Sequence, residues 1–264
     1  MTASVVRHEI IAVQNGQRAR QADTLAVEEP LEIRAGQHSI AVTMRTPGQD
    51  FELAAGFLLC EGVITGRQSI QKITYCTPPG QPQQYNIVNV HLASGVPFDP
   101  QRFSRHVYTT SSCGICGKAS LEQVRAALPA KPLSPFVPTD DQLLALPDKL
   151  RQAQVIFEKT GGLHAAALFD AAGNLRLLRE DVGRHNAVDK VVGALLLENS
   201  LPVAESILVV SGRASFELVQ KALMAGIPTL AAVGAPTNLA VELAREFGLT
   251  LIGFLRGDRF NLYP

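Results

Sequence analysis

The second half of the chain alternates between two periodicities. From residue 162 onward, short aliphatic runs alternate with segments whose apolar residues recur every three or four positions. Strands fit 162–169, 175–180, 206–210, 229–233 and 250–255; helices fit 183–198, 215–225 and 237–247. The order β-β-α-β-α-β-α-β implies a mixed sheet with helices on its faces. Within the helix over 183–198, Val188, Val191, Val192, Leu195 and Leu196 follow the i, i+3, i+4, i+7, i+8 rule and must face the sheet. His185, three residues before Val188, leans the same way. Asp189, four residues after His185, comes within its reach.

The first half reads as mostly strand. Residues 31–34 and 40–45 alternate apolar and polar, and Ala35-Gly36 between them suits a hairpin turn. A helix fits 49–60, with Phe51, Ala54, Ala55, Leu58 and Leu59 on one side. Strands fit 70–75 and 85–92, separated by a Pro- and Gln-rich loop over 77–84. The pattern fades after residue 103. Residues 109–117, Thr-Thr-Ser-Ser-Cys-Gly-Ile-Cys-Gly, are small, polar and Gly-rich, and read as an exposed, mobile loop. A short helix fits 120–128. Pro129, Pro132, Pro135 and Pro138 mark a linker, and another helix fits 140–152. The divisions are therefore a β-rich N-terminal domain over 1–108, a loop and linker over 109–139, and a C-terminal domain over 140–264.

Composition bounds the function. Apolar residues make up 46% and charged residues 18%, which suffices for a sizeable core. Lys+Arg and Asp+Glu are equal at 24 each, which excludes nucleic-acid binding through bulk charge. No apolar run reaches bilayer length. Arg7, His8 and Glu9 stand where a signal peptide needs an apolar stretch, so the expected location is the cytoplasm, with no membrane or nucleic-acid partner. Four cysteines (Cys60, Cys76, Cys113, Cys116) are too few for a disulfide scaffold. Cys60 and Cys76 read as ordinary buried thiols.

Five segments could carry chemistry. Cys113-Gly114-Ile115-Cys116 brings two sulfurs close, which suits metal binding, a reversible disulfide or sulfur relay. It falls short of the four ligands of a structural zinc. Residues 180–190 pack six ionisable groups around a helix start, where free N–H groups and the dipole favour anions; Arg184 and Lys190 would add positive charge, and Asp181 could cap the helix. Ser211-Gly212-Arg213-Ala214-Ser215 lies between a strand end and a helix start, as an ordinary Ser-capped turn or a phosphate-binding one. Gly234-Ala235-Pro236-Thr237 repeats the arrangement, with Thr237 as N-cap. Phe254, Leu255, Arg256, Gly257, Asp258 and Arg259 end the final strand, where two arginines beside a glycine could hold a pyrophosphate. Gly161-Gly162 permits close backbone approach at the head of a strand, and His164, taken alone, reads as a core histidine.

Together these motifs resemble the FdhD/NarQ family of formate dehydrogenase accessory sulfurtransferases, nearly end to end. The resemblance runs through residues 29–33, 43–48, 52–58, 111–117, 160–164, 181–190 and 211–213. It implies a protein that accepts persulfide sulfur from a cysteine desulfurase. The sulfur then goes to the molybdenum cofactor, bis(molybdopterin guanine dinucleotide), for use by the formate dehydrogenase catalytic subunit. It implies that Cys113 carries the persulfide, that Cys116 is an auxiliary thiol, and that 254–259 is a cofactor-binding segment. Gly161, His164, Arg184, His185, Asn186, Ser211, Gly212 and Arg213 would complete the cofactor site.

The resemblance also implies an α/β cytidine-deaminase-like C-terminal domain, a three-layer mixed sheet with helices on both faces, plus a smaller α+β part at the N-terminus. Zinc deaminases carry His/Cys-x-Glu and Pro-Cys-x-x-Cys at two helix starts. Here those places read Arg184-His185-Asn186 and 211–215, so no zinc or other resident metal is expected. By analogy with the family the chain would be a homodimer. Two rival classes remain: a cofactor-binding chaperone without covalent sulfur transfer, and a zinc hydrolase of the deaminase type.

Overall fold

Two residues, Asn15 and Gly16, turn the chain back on itself with φ of 51° and 78°. This is the left-handed pair that a two-residue hairpin turn needs. It joins strand β1 (Val5–Gln14) to β2 (Gln17–Ala26), paired antiparallel along their whole length as a separate two-stranded sheet. The computed structural model describes residues 3–99, 128 and 136–263. Cys113, Cys116, the expected loop over 109–117 and nearly all of the expected helix over 120–128 lie outside the described residues.

A second sheet follows. Its strands are β3 (Glu29–Ala35), β4 (His38–Arg45), β5 (Ile70–Tyr75) and β6 (Ile87–Leu92), in the order β4-β3-β6-β5, with helix α1 (Asp50–Cys60) between β4 and β5 in the chain. The β3–β4 turn falls at Gly36-Gln37 rather than Ala35-Gly36, since Gly36 supplies the positive φ of 62° and Ala35 still pairs with His38. The strand expected from residue 85 starts at Ile87, because Tyr85 sits at φ 55° and breaks the extended run.

The second half carries α2 (Asp140–Ala153), α3 (Val155–Thr160), β7 (His164–Phe169), β8 (Leu175–Asp181), α4 (Arg184–Leu197), β9 (Ile207–Val210), α5 (Phe216–Met224), β10 (Thr229–Ala232), α6 (Asn238–Phe247), β11 (Thr250–Arg256) and β12 (Arg259–Tyr263). The six-stranded sheet runs β12-β11-β10-β9-β7-β8, with β9, β10 and β11 parallel. Alternate residues of its strands face opposite ways. Ala166, Leu168, Leu208, Val210, Leu230 and Leu251 join the core under α4, α5 and α6. Ala165, Ala167, Phe169, Ile207, Val209 and Ile252 meet Leu143, Leu146 and Leu150 of α2 on the other face. The sheet is thus the middle of three layers, as the expected α/β class requires. The stripe Val188, Val191, Val192, Leu195 and Leu196 is buried.

One core joins both halves: Leu31, Ile33, Leu53 and Val88 belong to the same buried cluster as Val191, Leu208 and Leu218. The seam is the crossing of α1 and α4. A Cβ on Gly56 would lie 1.9 Å from the Asp189 carbonyl oxygen, and one on Gly193 would lie 1.8 Å from that of Glu52. Only glycine lets the two backbones approach so closely. Among the described residues no helix is long and apolar enough to cross a membrane.

Candidate functional site

The parallel strands β9, β10 and β11 all end at one edge of the large sheet, the edge where open α/β sheets present loops to ligands. Hydrogen bonds between backbones lace those loops together. Gly234 N–H donates to the Gly212 carbonyl at 2.9 Å, Ala214 N–H to Ala235 at 3.1 Å, Thr237 N–H to Ala214 at 3.0 Å, and Phe254 N–H to Gly234 at 2.9 Å. The packing leaves no room for a side chain at Gly234, whose Cβ would stand 2.9 Å from the Gly212 carbonyl. The segments 211–215, 234–237 and 253–257 therefore form one continuous surface. β11 breaks register between Gly253 and Arg256, and Phe254 takes φ 55°, a costly conformation for an aromatic residue. Its ring is half-buried at this edge.

β7 runs antiparallel to β9, and β8 antiparallel to β7, so the start of β7 and the end of β8 reach the same edge; His164 pairs with Asp181 there. Gly212 brings the parts together: a Cβ on it would sit 3.6 Å from His164 Nδ1 and 3.6 Å from Arg184 Cδ. The Nε of Arg184 is buried and, among the described residues, has no hydrogen-bond partner. A buried guanidinium N–H without an acceptor is costly unless a ligand supplies one. No side chain caps the first turn of α4, whereas Thr237 caps α6 by accepting from Ala240 N–H at 3.3 Å. Arg213, Arg256 and Arg259 are exposed, the last two directly opposite each other across the β11–β12 turn. Among the described residues, no carboxylate forms an ion pair with Arg184, Arg213, Arg256 or Arg259. Four cations without counter-ions, at the edge where α4 begins, favour a multiply charged anion.

His164 responds to this field. Burial lowers the pKa of His164, and the charges of Arg184 and His185 lower it further. His185 Nε2 lies 3.4 Å from Ser215 Oγ and 3.8 Å from Glu217 Oε2. Burial alone would raise the Glu217 pKa. The nearby His185 imidazole, together with the Glu217 backbone N–H and Ser215, outweighs that and holds it at about 2.

Several residues of this stretch serve the scaffold instead. Lys190 is fully buried, with Nζ 2.7 Å from Asp181 Oδ2 and donating to the Thr46 carbonyl at 3.0 Å, so it adds no charge to the edge. Asp181 does not cap α4 from within its first turn. Its carboxylate accepts from the N–H groups of Gly183 and Thr46 and from Asn186 Nδ2. Asn186 also donates to the Met44 carbonyl and accepts from Thr43, so its whole carboxamide is engaged with the protein. Asp189 pairs with Lys221 at 2.7 Å rather than hydrogen-bonding His185. Leu255 is fully buried in the core beneath α2. Gly161 ends α3 at φ 64°, and Ser211 Oγ accepts from Ala165 N–H at 2.9 Å. Of the two remaining cysteines, Cys60 is buried, which pushes its thiol pKa well up, and Cys76 is half-buried. The residue that motif reading missed is Glu217. Its one sequence signal is its place in the first turn of a helix that starts beside His185.

Comparison with known proteins follows the same outline. Residues 26–264 match the model of the FdhD/NarQ family. The sulfur carrier protein FdhD of Streptomyces coelicolor is 55% identical over 262 residues, covering 97% of this chain and 93% of that protein. The protein of the same name from Mycobacterium tuberculosis is 53% identical over 247 residues, covering 91% and 90%. A crystal structure described as that of a formate dehydrogenase accessory protein from Desulfotalea psychrophila superimposes with a TM-score of 0.76 at 23% identity, covering 99% of this chain and 97% of that one. That similarity extends to the fold.

Proposed function

The chain belongs to the FdhD/NarQ family, and from that premise we propose that it is a sulfur carrier that delivers persulfide sulfur to a molybdenum cofactor for formate dehydrogenase. Full-length relatives more than half identical to it bear the name sulfur carrier. The observation that carries the substrate half of the reading is the buried, partnerless Nε of Arg184, at an edge with three further unpaired arginines. Such a donor set suits the pyrophosphates of a guanine dinucleotide.

In this reading the thiolate of Cys113 attacks the terminal sulfur of a cysteine desulfurase persulfide. The desulfurase sulfur–sulfur bond breaks, its cysteine leaves as thiolate, and Cys113 holds the persulfide. Arg184, Arg213, Arg256 and Arg259 grip the phosphates of the cofactor, which is the substrate. Phe254, fixed by its strained backbone, packs beside them. The reduced metal of that substrate would supply the electron pair that takes the terminal sulfur: the sulfur–sulfur bond breaks, the sulfur becomes sulfide on a metal oxidised by two electrons, and Cys113 leaves as thiolate. Cys116 is the auxiliary thiol of the pair.

Two sets of variants separate the halves. Cys113→Ala abolishes sulfur transfer and leaves binding of the guanine-dinucleotide cofactor within about twofold of wild type. Arg256→Ala with Arg259→Ala keeps sulfur loading and weakens cofactor binding at least about tenfold, as expected for two lost charge-assisted contacts. Equal loss of both properties in either variant would contradict this division of labour.

A further inference from the structure

At the other end of α4 and α5 lies a cavity of about 380 Å³. Its walls come from the C-terminal ends of α4, α5 and α6 and from residues 65–68, and include Leu196, Leu201, Met224, Ile227 and Phe247. This size and lining match sites that hold small apolar ligands. Among the described residues, Arg67 is the one charged residue of the lining, beside the neutral polar Thr65, Gln68 and Asn199. Arg67 Nη1 donates to the Ile70 carbonyl at 2.8 Å, which fixes the guanidinium; among the described residues Nε and Nη2 have no hydrogen-bond partner. Among the described residues no carboxylate pairs with it.

Three helix C-termini bring partial negative charge, which would favour a cation. Those ends, however, are closed by their own turns. Ser200 N–H donates to Leu195, Ile227 N–H to Ala222 and Leu249 N–H to Ala244, at 2.8–2.9 Å. Among the described lining residues, the one full positive charge is that of Arg67.

We propose that this cavity is a binding site for a small apolar monocarboxylate, with its chain among the helix ends and its carboxylate on Arg67. A bidentate guanidinium–carboxylate contact accounts for a single cation among the uncharged residues of this lining. The site is separate from the candidate sulfur-transfer edge, at the opposite end of the same two helices.

The test uses the full chain, isothermal titration calorimetry and three probes of one chain length: octanoate, octan-1-ol and octylammonium. Octanoate is expected to bind saturably and more tightly than the other two. It should shift the methyl resonances of Leu223 and Ile227 in NMR spectra. Arg67→Gln is expected to weaken octanoate about tenfold and to leave octan-1-ol within about twofold. The proposal is overturned by no saturable octanoate binding, by equal or tighter binding of octan-1-ol or octylammonium, by methyl shifts elsewhere than this cavity, or by an Arg67→Gln variant that binds octanoate as wild type does.

Discussion

Lys190 and Arg184 sit six residues apart on one helix and have opposite fates. Lys190 is enclosed with Asp181 and the Thr46 carbonyl, while Arg184 keeps a buried donor without an acceptor. The first is scaffold and the second is open to a ligand. Removing the Lys190 ammonium strands a buried carboxylate, so Lys190→Met is expected to destabilise the fold by about 3–5 kcal/mol in chemical denaturation. A loss below 1 kcal/mol would show that Asp181 needs no partner. Helical spacing brings Arg184 and His185 to the start of α4 and counts the charge of Lys190 with them, whereas Lys190 is buried against Asp181. The partners that claim Lys190 and Asp189 are Thr46 and Lys221, which no helical spacing brings into view.

Glu217 gives the residue scale a pH signature. Its folded pKa of about 2 lies below the ordinary 4.5, so the native state binds fewer protons than the unfolded state between those values. Its stabilising contribution is complete above pH 4.5 and is lost as pH falls toward 2. Glu217→Gln should therefore flatten the acid limb of the stability profile in that window, by on the order of 2 kcal/mol. Superimposable acid limbs for variant and wild type would remove Glu217 from the His185 network.

Among the elements, the α1–α4 crossing is the joint on which the site depends. It fixes α4, whose first turn presents Arg184 and His185, against the four-stranded sheet through two glycines in backbone contact. A methyl group at either position collides with a main-chain oxygen. Gly193→Ala is expected to cost about 3 kcal/mol or more and to lower the thermal midpoint, since overpacking against backbone has no side chain to yield. A stable Gly193→Ala protein would mean that the two helices are free to separate. The helices α2, α4, α5 and α6 were legible because each buries a periodic apolar face. The elements missed were those without one. β1 and β2 contain no fully buried residue and show no alternation, although Asn15-Gly16 is a strong hairpin signal. α3 has only six residues and no buried one. β12 follows the two-residue turn Gly257-Asp258, a Gly-Asp hairpin signal inside a segment that reads first as a cation cluster.

At the scale of the whole molecule, zero net charge conceals a polarity. Acids and bases pair in the interior, as in Arg45–Asp50, Asp181–Lys190 and Asp189–Lys221, while unpaired arginines collect along one edge of the large sheet. Composition shows the balance and cannot show this segregation, which needs the strand order to gather 184, 213, 256 and 259 together. In the proposed function this edge would bind the cofactor, and sulfur carriage falls to a different chemical group, the thiol of Cys113. The most direct measurement is intact-protein mass spectrometry after incubation with a cysteine desulfurase and cysteine, comparing wild type, Cys113→Ala and Cys116→Ala. The account predicts the added mass of one reductant-labile sulfur on wild type and on Cys116→Ala, and none on Cys113→Ala. No added sulfur on wild type beside an active, matched desulfurase would contradict it and leave a cofactor-binding chaperone.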